Sequence, residues 1–389
     1  MLMANNPGII VLAGSLAQKP GSGGHTWVFL QYLLGFKSLG WDVLFLDELD
    51  PARCVDGAGA VCSFERSWNL RYFLAVMERF GLVGSFSLSY NRGEQFVGVP
   101  REEVLARIQR SALLLNVMGF LKDEEILAQA PRRVFLDIDP GFGQMWKDLH
   151  LADVFTGHDD FVTIGENIGQ PACPIPTCGL NWITSPQPVV LEHWPFTVAP
   201  ARDKFTSVAS WRGAYGPVDY HGKTYGLRVH EFRKFLALPR LTRRPFHLAL
   251  DIHPSETKDL ASLADNGWTL VDPAEAAGDP WKYQAFIQSS AAEFMVAKNM
   301  YVDTQSGWFS DRSICYLASG KPVLAQDTGI GALYPTGAGL VTFRTIEEAV
   351  AGAEEIMGNY DRHARAARDI AEEYFDSDKV LGRLLAKLG

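Results

Sequence analysis

The chain has 389 residues, 47% hydrophobic and 21% charged, with a formal net charge of −9. This is the composition of an ordinary globular protein, and it excludes disordered, collagen-like and coiled-coil chains. The acidic balance argues against nucleic acid or anionic lipid as the main partner, because both demand clustered cations.

At roughly 100–200 residues per domain, the length predicts two domains. GIIVLAG, from Gly8, is an apolar β-branched run ended by glycine, the pattern of a buried strand. A Gly-rich loop follows. From Thr26 to Leu39 the residues Val28, Leu30, Leu33, Leu34 and Phe36 recur at near-helical spacing, and Gly40 stops the helix. DVLFLDEL returns as a strand, so the opening segment is one βαβ unit with a parallel pair. LLLNVMG (from Leu113), RRVFLDIDP (from Arg132) and DFVTIGEN (from Asp160) are further strands.

The stretch from Pro171 to Pro200 is rich in proline and poor in periodicity, as an interdomain connection is. Alternation restarts with FTSVASWRG (from Phe205), PFHLALDIH (from Pro245), GWTLVDP (from Gly267), EFMVAKNMYV (from Glu293), KPVLAQDTG (from Lys321) and LVTF at Leu340. Helices occupy Ile346 to the end. The chain is therefore read as two consecutive Rossmann-like α/β halves, 1–195 and 196–389. Ligands of such parallel sheets bind outside the carboxyl ends of the strands, which makes the cleft between the halves the expected site.

Cys54, Cys62, Cys173, Cys178 and Cys315 are odd in number, irregularly spaced and free of C-x-x-C pairs. That suits a reducing compartment rather than a zinc framework, with a local Cys173–Cys178 bridge as the alternative. The opening MLMANNPGIIVLAG has no basic n-region, and no run of about 18 apolar residues occurs. A cytoplasmic protein without integral membrane contact is the expectation.

The most specific string is SGWFSDRSICYLASGKPVLAQDTG, from Ser306 to Gly329. It reads as a glycine turn, a helix capped by Ser310, a stop at Gly320 and a strand. A helix start offers free N–H groups and the positive end of its dipole to an anion. This string resembles the carboxyl-terminal half of the nucleotide-sugar-dependent glycosyltransferases of GT-B architecture. Gly307-Trp308-Phe309-Ser310 matches their G-W-x-S turn, Gly320-Lys321-Pro322 their G-x-P step, and Gln326-Asp327 their acid/amide pair in swapped order.

The resemblance implies that Ser306, Gly307, Trp308, Phe309 and Ser310 border the donor diphosphate, with Gln326 and Asp327 near the sugar hydroxyls. Arg212, Lys298 and Arg312 are the candidate cations, since departure of the nucleotide builds negative charge. Two departures stand out. Cys315 replaces the glutamate that grips the ribose, leaving Asp311 as substitute, and no carboxylate stands at Ser306 or Gly307, where retaining members have one.

In the amino half, Gly23-Gly24-His25 resembles the first loop of inverting members, where a histidine takes the acceptor's proton. An imidazole near neutral pKa suits that task, and Asp137 or Asp139 would orient it. The other reading is that His25 only orders the glycine loop against phosphate. Asp137-Ile138-Asp139 also has D-x-D metal spacing, but it ends a strand and no metal is expected. Gly21-Ser22-Gly23-Gly24-His25-Thr26 departs from the dinucleotide G-x-G-x-x-G, although Asp47 ends the next strand as a ribose acid would.

The resemblance thus implies an enzyme moving a sugar from a nucleotide-diphosphate sugar to a small-molecule or glycan hydroxyl or amine. It would invert, need neither metal nor further cofactor, and use 1–195 for acceptor and 196–389 for donor. A nucleotide-sugar 2-epimerase, a flavin or nicotinamide oxidoreductase and a non-catalytic nucleotide-sugar binder are the competing readings.

Overall fold

The computed structural model describes residues 8–198, 201–213 and 215–389. The first residues of the opening segment, Met1–Pro7, and Ala199–Pro200 at the end of the proline-rich connection lie outside the described residues.

The amino half runs β1 (Ile9–Gly14), α1 (Gly23–Ser38), β2 (Asp42–Leu49), α2 (Trp68–Arg79), β3 (Phe86–Tyr90), β4 (Gln95–Gly98), α3 (Arg101–Gln109), β5 (Ser111–Val117), α4 (Glu124–Gln129), β6 (Arg133–Asp137), α5 (Phe142–Asp148), β7 (Asp160–Thr163) and β8 (Trp182–Thr184). These eight strands form one sheet in the order β4-β3-β2-β1-β5-β6-β7-β8. All neighbours are parallel except β3 and β4.

The carboxyl half runs β9 (Phe205–Ser210), β10 (Val218–Tyr220), β11 (Lys223–Tyr225), α6 (Arg228–Phe232), α7 (Leu238–Thr242), β12 (Phe246–Asp251), α8 (Thr257–Asp265), β13 (Trp268–Val271), α9 (Pro273–Ala277), α10 (Pro280–Ser289), β14 (Ala292–Met295), α11 (Asn299–Thr304), α12 (Asp311–Ala318), β15 (Val323–Gln326) and β16 (Leu340–Phe343). Its parallel sheet has the order β13-β12-β9-β14-β15-β16, with β10 and β11 as a separate hairpin. The chain closes with α13 (Ile346–Gly358), α14 (Tyr360–Ile370) and α15 (Ser377–Leu388).

In both sheets the first strand is central and the order reverses beside it, between β1 and β5 and between β9 and β14. Those reversals open a crevice at the strand ends where a ligand can enter. The expected α/β architecture of two doubly wound, Rossmann-like sheets is therefore present.

Two local expectations need correction. EFMVAKNMYV is not one strand: β14 ends at Met295, and Lys298 stands at the head of α11, because its side chain is drawn to a partner in the other half. The proline-rich connection is no loose linker, since Val189 and Trp194 are fully buried and Trp194 packs edge-on against Trp27 at 4.9 Å.

Helix α1 starts three residues earlier than its apolar spacing suggests, and Thr26 through Leu33 are all buried. A helix apolar all round must be covered all round. The sheet covers one side, α10 and α15 the others. The closing segment thus returns to the amino half, where Val189 N–H donates to Phe375 O at 2.7 Å and Ser377 N–H to Val189 O at 2.9 Å.

Gln31 ties three of these parts together. Its Oε1 accepts from Val190 N–H at 2.7 Å, and its Nε2 reaches Cys315 Sγ at 3.6 Å. Gln31→Leu would strand the Val190 N–H in the interior, a loss of roughly 1–3 kcal/mol, to be read as a lower urea midpoint at unchanged m-value.

Candidate functional site

A cavity of about 570 Å³ lies between the halves at the reversal points. One wall is the loop before and into α1, Gly21 to His25. The other is built from the ends of β9 and β12, the start of α12 with Asp311 and Arg312, and Arg228, Asp272 and Tyr283.

The glycine loop is held from below by Asp47. This buried carboxylate accepts from Ala17 N–H and Glu48 N–H, both at 2.7 Å. Its oxygens are therefore occupied by backbone N–H groups in the interior, unlike those of an acid free to accept from a ribose.

Gly23 and Gly24 serve closure as well as anion access. A Cβ on Gly23 would sit 2.1 Å from Asp279 O, and one on Gly24 would sit 3.1 Å from the Tyr283 ring. The amino half therefore touches the α9–α10 junction through bare backbone. Ser22 makes no side-chain cap, and the first turn of α1 carries no acid. The first N–H groups of a helix lack intrahelical acceptors, so this end of α1 is open to an anion.

His25 lines the cavity with its Nε2 3.1 Å from Ser15 O and 3.3 Å from Ser15 Oγ, its ring edge-on to Phe29. Donation from Nε2 to the carbonyl leaves Nδ1 as the free acceptor. Burial, with the positive charge of Lys19 behind it, lowers the His25 pKa to about 3 against the pull of the Ser15 bond.

Neither expected orienting acid reaches His25. Asp137 is buried beneath Gln144 and Thr163, which donate at 2.7 and 3.0 Å, and desolvation raises its pKa to about 6. Asp139 crosses the seam to Lys298 at 2.8 Å and also takes the Tyr301 hydroxyl. Ser15, not a carboxylate, orients the imidazole. With both acids so engaged, the D-x-D spacing forms no open cage, and no group of three metal-ligating side chains occurs among the described residues.

The candidate cations separate clearly. Lys298 is spent on Asp139, its ammonium packed over the Phe142 ring and lowered in pKa by desolvation. Arg312 is buried, its Nε on Glu293 and its Nη1 donating to Val208 O at 2.7 Å. Arg212 is exposed in a neighbouring small pocket and paired with Glu256 at 2.5 Å. Arg228, absent from the sequence reading, is the cation the cavity holds in reserve. Its Nη1 donates to Ser210 O at 2.8 Å, but its Nε is buried without a partner among the described residues. Desolvation, then repulsion from Arg312, lowers its pKa to about 10. The β10–β11 hairpin inserted after Arg212 pushes this cation far down the chain, which is why loop position alone pointed to Arg212 instead.

The carboxyl-half string is mostly structural. Ser310 caps α12 as expected, accepting from Arg312 N–H at 3.2 Å. Asp311 lines the cavity, its carboxyl pushed up by burial. Ser306, Gly307, Trp308 and Phe309 lie outside the cavity lining. Trp308 stacks on Tyr301 at 4.2 Å, Phe309 packs against Phe375, and a Cβ on Gly307 would meet Asn167 N at 2.9 Å. Gln326 is buried between Ala297 N–H and Glu231, and Asp327 is held by Arg344 at 2.6 Å, so neither lines the cavity. Glu166 and Asn167 cross the seam to Tyr334 and to the Gln305 carbonyl.

No protein-family model matches the chain, and no curated protein matches it in sequence. Solved structures do. Sucrose-phosphate synthase from Thermosynechococcus elongatus superposes with a TM-score of 0.55 at 12% identity, covering 98% of this chain and 99% of that one. An alpha-glucosyltransferase in complex with UDP and a 13-mer DNA containing an HMU base gives 0.61 at 10%, covering 97% and 98%. Anabaena HepE in complex with UDP-glucose gives 0.56 at 12%, covering 98% and 99%. The chain shares their two-domain GT-B fold along nearly its whole length.

The lowered pKa of His25 has a stability consequence. Above pH 6.5 neither the folded nor the unfolded imidazole carries the proton. As pH falls from 6.5 towards 3 only the unfolded chain gains it, so stability drains away in that window. His25→Gln should therefore lose less stability than the parent between pH 7 and pH 4.5, read from urea midpoints at the two values.

Proposed function

We propose that the protein is a glycosyltransferase that moves a sugar from a nucleotide-diphosphate sugar to an acceptor hydroxyl or amine. The donor lies against residues 196–389 and the acceptor against 1–195. The observation that carries this reading is the buried Arg228 guanidinium, its Nε without a hydrogen-bond partner among the described residues, opposite the uncapped start of α1, inside the cleft of a fold shared with glycosyltransferases that bind UDP or UDP-glucose.

Loss of the nucleotide leaves two phosphates with growing negative charge. Arg228 and the Gly23, Gly24 and His25 N–H groups lie where that charge develops, fixed before the reaction. Asp311, at the same wall, takes the ribose in place of the missing glutamate. The diphosphate also changes His25. An anion beside the imidazole raises its pKa from about 3 towards the range where Nδ1 can accept the acceptor's proton. A single displacement with His25 as base inverts the anomeric carbon. The free thiols suit a reducing, cytoplasmic setting, and the acidic net charge favours a small molecule or glycan over nucleic acid as acceptor.

A melting screen across UDP, dTDP, GDP and ADP identifies the nucleotide, since a ligand at 100 times its dissociation constant adds about 2.7 kcal/mol. Arg228→Ala should weaken the binding nucleotide by about 1.5–3 kcal/mol, roughly 10- to 150-fold by calorimetry. His25→Ala should retain nucleotide binding and lose transfer. Absence of binding by any diphosphate would overturn the donor site. Unchanged turnover in His25→Ala would remove the base.

Because side chains and backbone hold the diphosphate in this reading, EDTA should leave turnover unchanged, and proton NMR of the product should show the inverted anomer.

A further inference from the structure

A second and larger cavity, about 840 Å³, opens in the amino half at the carboxyl ends of β2 and β5. It is lined by the turn after β2, the tip of the β3–β4 hairpin and the loop between β5 and α4. Leu49 and Phe120 give it an apolar floor, and its remaining wall is charged.

The charges differ in how far they are already used. Asp123 is taken by Arg101 at 2.7 Å and by Ile126 N–H at 3.1 Å. Asp50 accepts from Ala52 N–H at 2.8 Å. Glu48 is held by the backbone of Lys122, and Glu124 stands exposed at the first turn of α4. Arg53, Arg92 and Lys122 are exposed, and none of their side-chain nitrogens makes a hydrogen bond or close ion pair among the described residues. Lys122 acts on Glu48 only through space.

Arg92 is also placed at a cost. It lies in a left-handed turn, φ +59° between Asn91 at +48° and Gly93 at +91°, where glycine is the easy residue. The hairpin tip thereby carries a guanidinium into the cavity wall.

The cavity leads towards the donor cleft. Gln18 lines it, and the next residue, Lys19, is exposed and close enough to act electrostatically on both Arg53 and His25. A cationic path thus runs from Arg53 through Lys19 to the imidazole.

We propose that this cavity binds the acceptor by a phosphate group, held between the guanidinium groups of Arg53 and Arg92 and the ammonium of Lys122. Two planar forks and a point charge match the oxygens of a phosphate monoester. The apolar floor takes the rest of the acceptor, and its free hydroxyl or amine points along Lys19 towards His25. The inference rests on the glycosyl-transfer reading but names what that reading leaves open, the chemical class of the acceptor.

Inorganic phosphate is the probe. It is titrated into full-length protein saturated with UDP and, separately, into Arg228→Ala, so that the donor site cannot report. A millimolar phosphate site that weakens at least tenfold in the Arg53→Ala/Arg92→Ala/Lys122→Ala triple variant supports the assignment. All three side chains are exposed, and circular dichroism confirms that the variant folds. No phosphate site in either titration overturns it, as does equal binding of acetate or unchanged affinity in the triple variant. Failure of UDP, dTDP, GDP and ADP all to bind, with phosphate still bound by Arg228→Ala, overturns the donor reading and not this one. Co-sedimentation with phosphatidic acid vesicles but not phosphatidylcholine vesicles, lost in the triple variant, assigns the phosphate to a lipid. Phosphate binding without vesicle binding assigns it to a soluble ester.

Discussion

The rest of the molecule depends on how the two halves close over α1. The helix is apolar all round, so it must be covered on every side, and the cover comes from the strands that flank it and two remote parts of the chain. The sheet lies under it, α10 reaches over from the carboxyl half, and α15 returns from the far terminus. Closure brings Gly23 so near the Asp279 carbonyl that no side chain fits between them. The same contact sets the uncapped start of α1 against the ends of β9 and β12, and so creates the cleft.

Charge in that cleft is governed by pairing, not by count. A buried cation without a partner is costly, so most of the cations near the seam have acquired one. Lys298 has Asp139, Arg312 has Glu293 and Arg212 has Glu256. Each pair neutralises itself, and Lys298–Asp139 also ties the two halves together. Arg228 is the exception: it makes no salt bridge among the described residues, and burial together with the neighbouring Arg312 holds its pKa down. An acidic chain can bind an anionic donor because one or two uncompensated cations at the right place outweigh a diffuse surplus of carboxylates screened by solvent.

Much of the fold was legible in the chain. The strands β1, β2, β6, β7, β9, β12, β13, β15 and β16 all fall within the runs read as strands, and β5 begins two residues before its run, because apolar, β-branched segments bounded by glycine or proline report burial on both faces of a parallel sheet. The cap at Ser310 and the stop at Gly320 were equally readable, being local backbone chemistry. The short antiparallel strand β4 and the β10–β11 hairpin carried too few apolar residues to announce themselves. Of the candidate site, Gly23, Gly24, His25, Asp311 and Arg312 converge on the cleft. The turn Ser306–Phe309, together with Gln326 and Asp327, instead builds the walls and seam behind it.

What the sequence determined by itself is what short-range periodicity and turn chemistry can encode: two α/β halves, their strands, and a glycine loop opening a helix. Which cation is free, which group orients the histidine and why Gly23 must be glycine were decided only by tertiary structure. Lys298 and Asp139 are 159 residues apart, as are Gln31 and Val190. Pairing at that separation leaves no local pattern. It follows from the shape into which the halves close, and only that closure leaves Arg228 unpaired.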